Sequence, residues 1–141
     1  MSEAWGASFI KLDEKNRVIL PSKARPALAD GVYLTRGQEQ CVYLFSRPQF
    51  DAHKEKNRQE TAPGVPLRAF ERVFFSSVVT QDLDKQGRIT VPALLREYAG
   101  LERELVVIGM DDRMEIWDAG RWQAYLDQYL EQYSWPDEVV P

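Results

Sequence analysis

The chain of 141 residues is poor in the side chains on which most catalytic and metal sites depend: it has one cysteine, Cys41, and one histidine, His53. A lone cysteine cannot form an internal disulfide, which fits a reducing compartment. We expect Cys41 to be a small buried hydrophobe, and His53, which lies in a polar stretch, to be exposed to solvent. A zinc site would depend mostly on carboxylates, which is not the usual ligand set. The sequence therefore predicts no metal and no cofactor.

Other signatures are missing as well. The sequence has no glycine-rich phosphate loop and no Gly-x-Ser-x-Gly elbow. Asp111 and Asp112 could in principle act as an acid and a base, but a tight turn between two strands explains them better. We therefore expect no catalytic residues and no enzyme activity. Apolar runs are short, and the segment MSEAWGASF does not resemble a signal peptide. We expect a cytoplasmic protein without a membrane partner.

Charge is distributed unevenly along the chain. The net charge of -4 and the pI near 5.1 argue, taken alone, against a nucleic-acid partner. From Lys11 to Arg25, however, five basic residues stand against two acidic ones, whereas from Asp111 to the end eight acidic residues stand against two basic ones. The average therefore conceals a basic segment near the start of the chain.

The most informative feature is an internal repeat. Residues 12–25, LDEKNRVILPSKAR, align with residues 83–96, LDKQGRITVPALLR, at a spacing of 71. Five of the fourteen aligned pairs are identical, where unrelated stretches of this length share about one. Further along the spacing becomes 72, and residues 42–50 align with residues 114–122. The pattern predicts a tandem duplication.

Each repeat is predicted to begin with a charged turn between two strands, because β-branched residues follow the turn in RVIL and RITV. The position before the turn arginine is Asn16 in one repeat and Gly87 in the other. These residue types most easily adopt a left-handed backbone, so we expect a positive φ at both. Asp13 and Asp84 are suited to accept hydrogen bonds from the turn amides.

The rest of each repeat reads as a short helix, two strands and a further helix. Pro26 predicts that the first helix is shorter or begins later, whereas the equivalent helix ALLREYAG is predicted to end at Gly100. Ser46 with Gln49 has the spacing of a capping box, and Asp118 suits the N-cap of the last helix. Residues 56–66 are predicted to connect the repeats, and residues 67–75 to form an amphipathic helix.

The duplicated turns are the best candidate site. Each presents a lysine and an arginine, Lys15 with Arg17 and Lys85 with Arg88. Arginine can bind the O6 and N7 edge of guanine, and lysine can contact phosphate. Alternatively, each arginine pairs with the aspartate four residues earlier and only holds the turn. Because the same charges occur twice, the repeat favours binding of a polyanion, and several linked copies would offset the acidic pI.

These residues also carry a family resemblance. The segments LDEKNRVILPSKAR and LDKQGRITVPALLREYAGL resemble the Asp-x-x-x-Arg signature of the MraZ family, whose chains carry two tandem halves of the AbrB (SpoVT-AbrB) swapped-hairpin type. The resemblance implies an α+β fold in which two AbrB-like units with short helices form one pseudo-symmetric, β-barrel-like core, plus a C-terminal helix. It places the first unit at 7–50, a helical connector at 51–77, the second unit at 78–122, and a C-terminal helix and tail at 123–141.

The resemblance also implies a function: a bacterial transcriptional regulator that forms ring-shaped homo-oligomers. Its partner would be double-stranded DNA with repeated G-rich elements near the division and cell-wall gene cluster, so we expect it at the nucleoid. Asn16 departs from the usual glycine of the signature. The expected DNA-binding residues are Arg17, Arg88, Lys15, Lys85, Lys23 and Arg25, and the expected turn-forming residues are Asp13, Asn16, Asp84 and Gly87.

A second class of function stays open, namely a protein-interaction module of the AbrB-like fold, antitoxin-like or a scaffold, without direct DNA readout. Such antitoxins typically have one hairpin unit and a long disordered tail. Here the second half is a complete repeat that ends in a helix with an aromatic stripe. We expect the stripe, Trp122, Leu126, Tyr129 and Tyr133, to pack in the core or between subunits.

Overall fold

The structure is a computed structural model that describes residues 5–137. Within this range the chain forms eight strands, and their bounds are β1 Gly6–Lys11, β2 Arg17–Ile19, β3 Val32–Arg36, β4 Val42–Phe45, β5 Val79–Gln81, β6 Arg88–Thr90, β7 Glu104–Gly109 and β8 Met114–Asp118. Four α-helices accompany them: α1 Arg47–Glu60, α2 Val65–Phe75, α3 Ala93–Ala99 and α4 Ala119–Ser134. The predicted α+β class is confirmed.

The two repeats exchange their first strands. The larger sheet has six antiparallel strands in the order β1-β7-β8-β4-β3-β5. Strand β1 of the first repeat pairs with β7 of the second, and β5 of the second pairs with β3 of the first. The sheet order is thus symmetric about the boundary between β8 and β4. Each repeat completes the sheet of the other, which is the swapped-hairpin arrangement that the family resemblance implies.

The second strands of the repeats pair with each other in a two-stranded antiparallel sheet, which we call the ribbon (β2 and β6). Val18 lies opposite Ile89, and both are buried. The pairing extends past the strand ends, because Leu20 N donates to Gly87 O at 2.9 Å and Val91 N donates to Asn16 O at 2.9 Å. The ribbon therefore joins the two repeats. The last residue of each charged turn before its arginine accepts a hydrogen bond from the residue that follows the ribbon strand of the other repeat.

Side chains of the six-stranded sheet alternate between two apolar clusters. Leu44 and Ile116 pack in the cluster that includes Val18 and Ile89 of the ribbon. The neighbours Phe45 and Trp117 pack in the other cluster, with aromatic residues of α1, α2 and α4. Because successive strand residues point to opposite faces, the ribbon lies on one face of the sheet and these helices lie on the other.

The predicted local signals at helix ends are confirmed. Ser46 and Gln49 form a capping box at the start of α1, with Gln49 N donating to Ser46 Oγ at 3.3 Å and Ser46 N to Gln49 Oε1 at 3.0 Å. The Asp118 carboxylate caps α4. Gly100 ends α3 with φ of 61°. In the first repeat Pro26 interrupts the equivalent helix, which is reduced to two 3-10 turns, Ser22–Ala24 and Pro26–Leu28.

The connector between the repeats is shorter than the sequence predicts. Residues 56–60 belong to α1, and α2 begins at Val65, so the segment between the helices is 61–64. Lysine, arginine, glutamine and glutamate are good helix formers, which is why the polar end of α1 stays helical. Pro66 lies in the first turn of α2, where its missing N–H costs nothing.

Another unexpected feature is the turn between β3 and β4, where Glu39 and Gln40 both have positive φ, 60° and 61°. The equivalent turn of the second repeat, at Asp111 and Asp112, lies between β7 and β8 as predicted. Cys41 is fully buried beside the turn between β3 and β4, and its Sγ donates to Gln38 O at 3.3 Å.

Between residues 5 and 137, no helix combines the length and the apolar composition that crossing a bilayer requires.

The strand exchange predicts that neither half folds as a monomer. We expect fragments 1–62 and 63–141 to lack a cooperative thermal transition when each is monomeric, because β1 and β5 would lose their partner strands. Mixed in equal amounts, they should recover the transition of the intact chain. Circular dichroism melts with analytical ultracentrifugation test this, and a monomeric fragment that melts cooperatively would contradict it.

Candidate functional site

The first charged turn is organised by one carboxylate. Asp13 Oδ1 accepts hydrogen bonds from the backbone nitrogens of Lys15 at 2.8 Å and Arg17 at 2.9 Å. Its Oδ2 accepts from Arg17 Nε at 2.9 Å. Asn16 N donates to Asp13 O at 3.0 Å and closes the turn. The side chain of Asp13 thus fixes both the backbone of the turn and the direction of the Arg17 guanidinium.

The second turn repeats this pattern. Asp84 Oδ1 accepts from the backbone nitrogens of Gln86 at 2.9 Å and Arg88 at 2.8 Å, and Oδ2 accepts from Arg88 Nε at 2.6 Å. Gly87 N donates to Asp84 O at 2.9 Å. The sequence predicts a positive φ before each arginine, and the structure has 61° at Asn16 and 79° at Gly87. The two turns share one hydrogen-bond pattern despite the different residue at this position.

The same contacts lower the pKa of both aspartates. For Asp13 the largest cause is the hydrogen bond from the backbone of Arg17, and for Asp84 it is the equivalent bond from Arg88. Desolvation opposes the shift, and the ion pair with the arginine adds to it. Hydrogen bonds to the charged form favour ionisation, so both carboxylates are ionised at neutral pH.

Each arginine pairs with the aspartate of its turn through only one part of its guanidinium group. The hydrogen bond to the carboxylate uses Nε in each turn, and the terminal amino groups of the guanidinium are not part of it. The side chain of Arg17 is 28% exposed and that of Arg88 is 26% exposed. The arginines therefore hold the turns, which is the alternative role considered in the sequence analysis. This pairing still leaves the outer edge of each guanidinium available for a ligand.

The ribbon brings the two arginines together. Arg17 lies opposite Thr90, and Ile19 lies opposite Arg88. These four residues share the outward face of the ribbon, because Val18 and Ile89 between them point into the core. The two arginines are offset by two residues along the strand direction and by one strand across the ribbon. Their Cα atoms are therefore roughly 8 Å apart. Two oriented guanidinium groups thus lie on one exposed face.

The other basic residues differ in their surroundings. Lys15 and Lys85 are exposed at the two turns. Lys23 is exposed and donates from Nζ to Trp5 O at 2.6 Å. Arg25 is half-buried and donates from Nε and Nη2 to Leu20 O at 3.1 and 2.9 Å. The structure therefore places the lysines at the surface and Arg25 against the backbone.

One basic residue near the site was not found from the sequence. Arg103 is exposed and lines the same surface depression as Asp13, Lys15 and Arg17. It is held there because Leu12 N donates to Arg103 O at 2.9 Å, next to the pairing of β1 with β7. Only the exchange of strands between repeats brings this residue, 86 positions after Arg17, beside the first turn.

The prediction of an exposed His53 is wrong. It is half-buried on the inner face of α1, with its ring 4.8 Å from that of Phe45 and 5.6 Å from those of Tyr43 and Phe74. Burial lowers its pKa, and the nearby charge of Arg113 adds to this effect. The residues around it on α1 are polar, and only the packing of α1 on the sheet shows which face it occupies. Among residues 5–137, no group of three or more metal-binding side chains is assembled.

Comparison with known proteins agrees with the two-fold organisation. The family model described as "MraZ protein, putative antitoxin-like" matches residues 4–72 and 74–138. A protein of Leifsonia xyli subsp. xyli named Transcriptional regulator MraZ is 50% identical over 132 residues, covering 93% of this chain and 92% of that protein. Proteins with the same name from Arthrobacter sp. and Kocuria rhizophila are 47% and 49% identical, over 96% and 93% of this chain and 96% and 92% of theirs.

We expect Asp84→Asn to destabilise the protein at neutral pH and to lose this effect in acid. The native pKa of Asp84 is below the ordinary value of 3.8, so its stabilisation is present above that value and disappears as pH falls through the lowered native pKa. Urea denaturation between pH 7 and pH 2 measures this. Asp82→Asn, two residues before the turn, is the matched control. A difference between Asp84→Asn and the native chain that stays constant over this range would contradict the assignment.

Proposed function

This chain belongs to the MraZ family of transcriptional regulators, and we propose that it recognises double-stranded DNA with repeated G-rich elements through its two charged turns, as a homo-oligomer. The genes it controls would be those of the division and cell-wall cluster, and its place of action the nucleoid in the cytoplasm. Membership of a regulator family also confirms that the chain is not an enzyme.

The observation that carries the proposal is the common outward face of Arg17 and Arg88. A two-stranded antiparallel ribbon can enter the major groove, and arginine is the commonest partner of the O6 and N7 edge of guanine. Each guanidinium is oriented by an aspartate through Nε, so its direction is set before DNA arrives. Fewer rotamers then need to be fixed on binding. The amino groups of each arginine would donate to one guanine.

The lysines of the site would contribute affinity rather than sequence preference. Lys15 and Lys85 are exposed in the two turns, where an ammonium group can approach phosphate oxygens. Lys23 is exposed in the same basic segment, and Arg25 lies half-buried beside it. Contacts to phosphate release counterions and make binding weaker at high salt.

The distribution of charge over the fold supports this orientation. The acidic C-terminal part of the chain includes α4, whose Trp122 and Tyr125 pack on the face of the six-stranded sheet opposite the ribbon. Asp127 and Glu131, the acidic residues of α4, are therefore separated from the proposed DNA-binding face by the thickness of the sheet. A net charge of -4 is compatible with DNA binding because the surface near DNA, not the average, governs the interaction.

The apolar face of α4 supports self-association. Trp122 packs on Trp117 with ring centroids 5.5 Å apart, so the first turn of the stripe joins the core. Further along, Leu130 is 49% exposed and Tyr133 is 86% exposed. A surface groove is lined by apolar and aromatic side chains of this helix: Trp122, Tyr125, Leu126, Tyr129, Leu130 and Tyr133. Such patches mark interaction surfaces, and a second copy covering it would multiply the turns presented to DNA.

Arg17→Ala and Arg88→Ala are each expected to reduce binding to a G-rich repeat probe by about 5- to 150-fold, the loss of one bidentate arginine–guanine contact. Binding to a scrambled probe should change much less. Lys15→Ala should weaken both probes equally and lower the salt slope by about 1. Fluorescence anisotropy over a salt series measures these effects.

Arg68→Ala, an exposed arginine on α2, is the control and should bind both probes normally. Because α2 packs on the face of the sheet opposite the ribbon, this variant removes a positive charge far from the proposed DNA surface. Normal G-rich binding by Arg17→Ala and Arg88→Ala would overturn the site. Failure of the native chain to discriminate G-rich from scrambled DNA would favour the protein-interaction module instead.

Leu130→Glu is expected to reduce the oligomer mass seen in native mass spectrometry, because it places a charge in the apolar groove of α4. It should also abolish the gain in affinity between probes with one and three repeats, since that gain depends on linked copies. Gln128→Glu, on the same helix but outside the groove, is the matched control. An oligomer unchanged by Leu130→Glu would show that this face is not the contact.

A further inference from the structure

The guanidinium of Arg25 rests on the turn of the other repeat. It donates from Nε and Nη2 to Leu20 O, and Leu20 N in turn donates to Gly87 O at 2.9 Å. A Cβ atom at Gly87 would overlap Arg25 Nε and lie 2.5 Å from its Cζ. The hydrogen-bonded arginine therefore covers the backbone of the second turn at the residue directly before Arg88.

The other repeat has an equivalent contact. Arg96, the repeat equivalent of Arg25, donates from Nη1 to Val91 O at 2.6 Å, and Val91 N donates to Asn16 O. The turn of the first repeat, however, carries Asn16, which has a side chain, at φ of 61°. Both turns need a residue that tolerates positive φ, which glycine does freely and asparagine more readily than most other residues. The added requirement at position 87 is space for the Arg25 guanidinium.

We propose that Arg25 is a positioning residue for the second turn: it holds Gly87, and through it the Asp84–Arg88 pair, in the geometry that presents Arg88 to DNA. This inference rests on the proposed function. Arg25 suits the role because its planar fork holds one carbonyl with two donors, while its half-buried location keeps it from reaching far into solvent. The first repeat thereby preorganises the DNA-contacting arginine of the second.

A double-mutant cycle on DNA binding tests the proposal. Arg25→Ala is expected to weaken binding to the G-rich probe about five- to tenfold in the native chain and in the Arg17→Ala background, and less than about twofold in the Arg88→Ala background, because residues acting as a unit are not additive. Arg25→Lys keeps the charge but lacks the fork, so it should behave like Arg25→Ala. Equal losses in all three backgrounds, or full rescue by Arg25→Lys, would show direct contact with phosphate and overturn the proposal.

Substitutions at position 87 test the same proposal independently. Gly87→Asn copies the first turn and should displace the Arg25 guanidinium from Leu20 O. It is expected to reproduce the loss of Arg25→Ala, and the double variant should bind no more weakly than either single variant. Asn16→Gly, the reverse change in the first turn, is the matched control and should bind normally. Additive losses for Gly87→Asn and Arg25→Ala would contradict the coupling.

Hydrogen exchange without DNA separates this inference from the proposed function. Arg25→Ala should accelerate exchange of the amides of Gly87 and Leu20, which donate to Asp84 O and Gly87 O, more than that of Asn16 in the first turn. If Arg25→Ala accelerates this exchange but the native chain binds no DNA, Arg25 positions the turn and the proposed DNA function is wrong. Unchanged exchange at Gly87 in a DNA-binding chain would reject the positioning alone.

Discussion

The exchange of strands between the two repeats is the constraint on which the rest of the structure depends. A single repeat supplies β-strands whose partners lie in the other repeat, so neither can satisfy its backbone hydrogen bonds or bury its apolar face alone. The ribbon is the centre of this arrangement, since one strand comes from each repeat. It adds a second layer over the six-stranded sheet and fixes how the two charged turns lie relative to each other.

Because the ribbon is antiparallel, its register places Arg17 and Arg88 on one outward face, with Val18 and Ile89 buried beneath them. The aspartate of each turn then fixes the direction in which the guanidinium group points. The DNA recognition that we propose would therefore depend on the same few hydrogen bonds that hold the turns. An arginine that holds a turn through Nε can still offer its amino groups to a base, so the two roles considered for these residues are compatible.

Local signals were predictable because their energetics involve residues close in sequence. The capping box of Ser46, the end of α3 at Gly100, the shortened helix at Pro26 and the positive φ expected from comparing Asn16 with Gly87 each depend on neighbours within a few positions. The same locality explains the failure at 56–60, where good helix formers continued α1 into a segment that its composition marked as a connector.

The turns, the strands that flank them and the twofold repetition could be predicted from the sequence, because they depend on spacing and on residue type. Which repeat supplies each partner strand is seen only in the folded chain. That choice brought Arg103 beside the first charged turn and laid Arg25 across Gly87, and the packing of α1 on the sheet and on α2 buried His53 among aromatic rings. No local pattern encodes these contacts, since their free energy arises only when separate elements pack together.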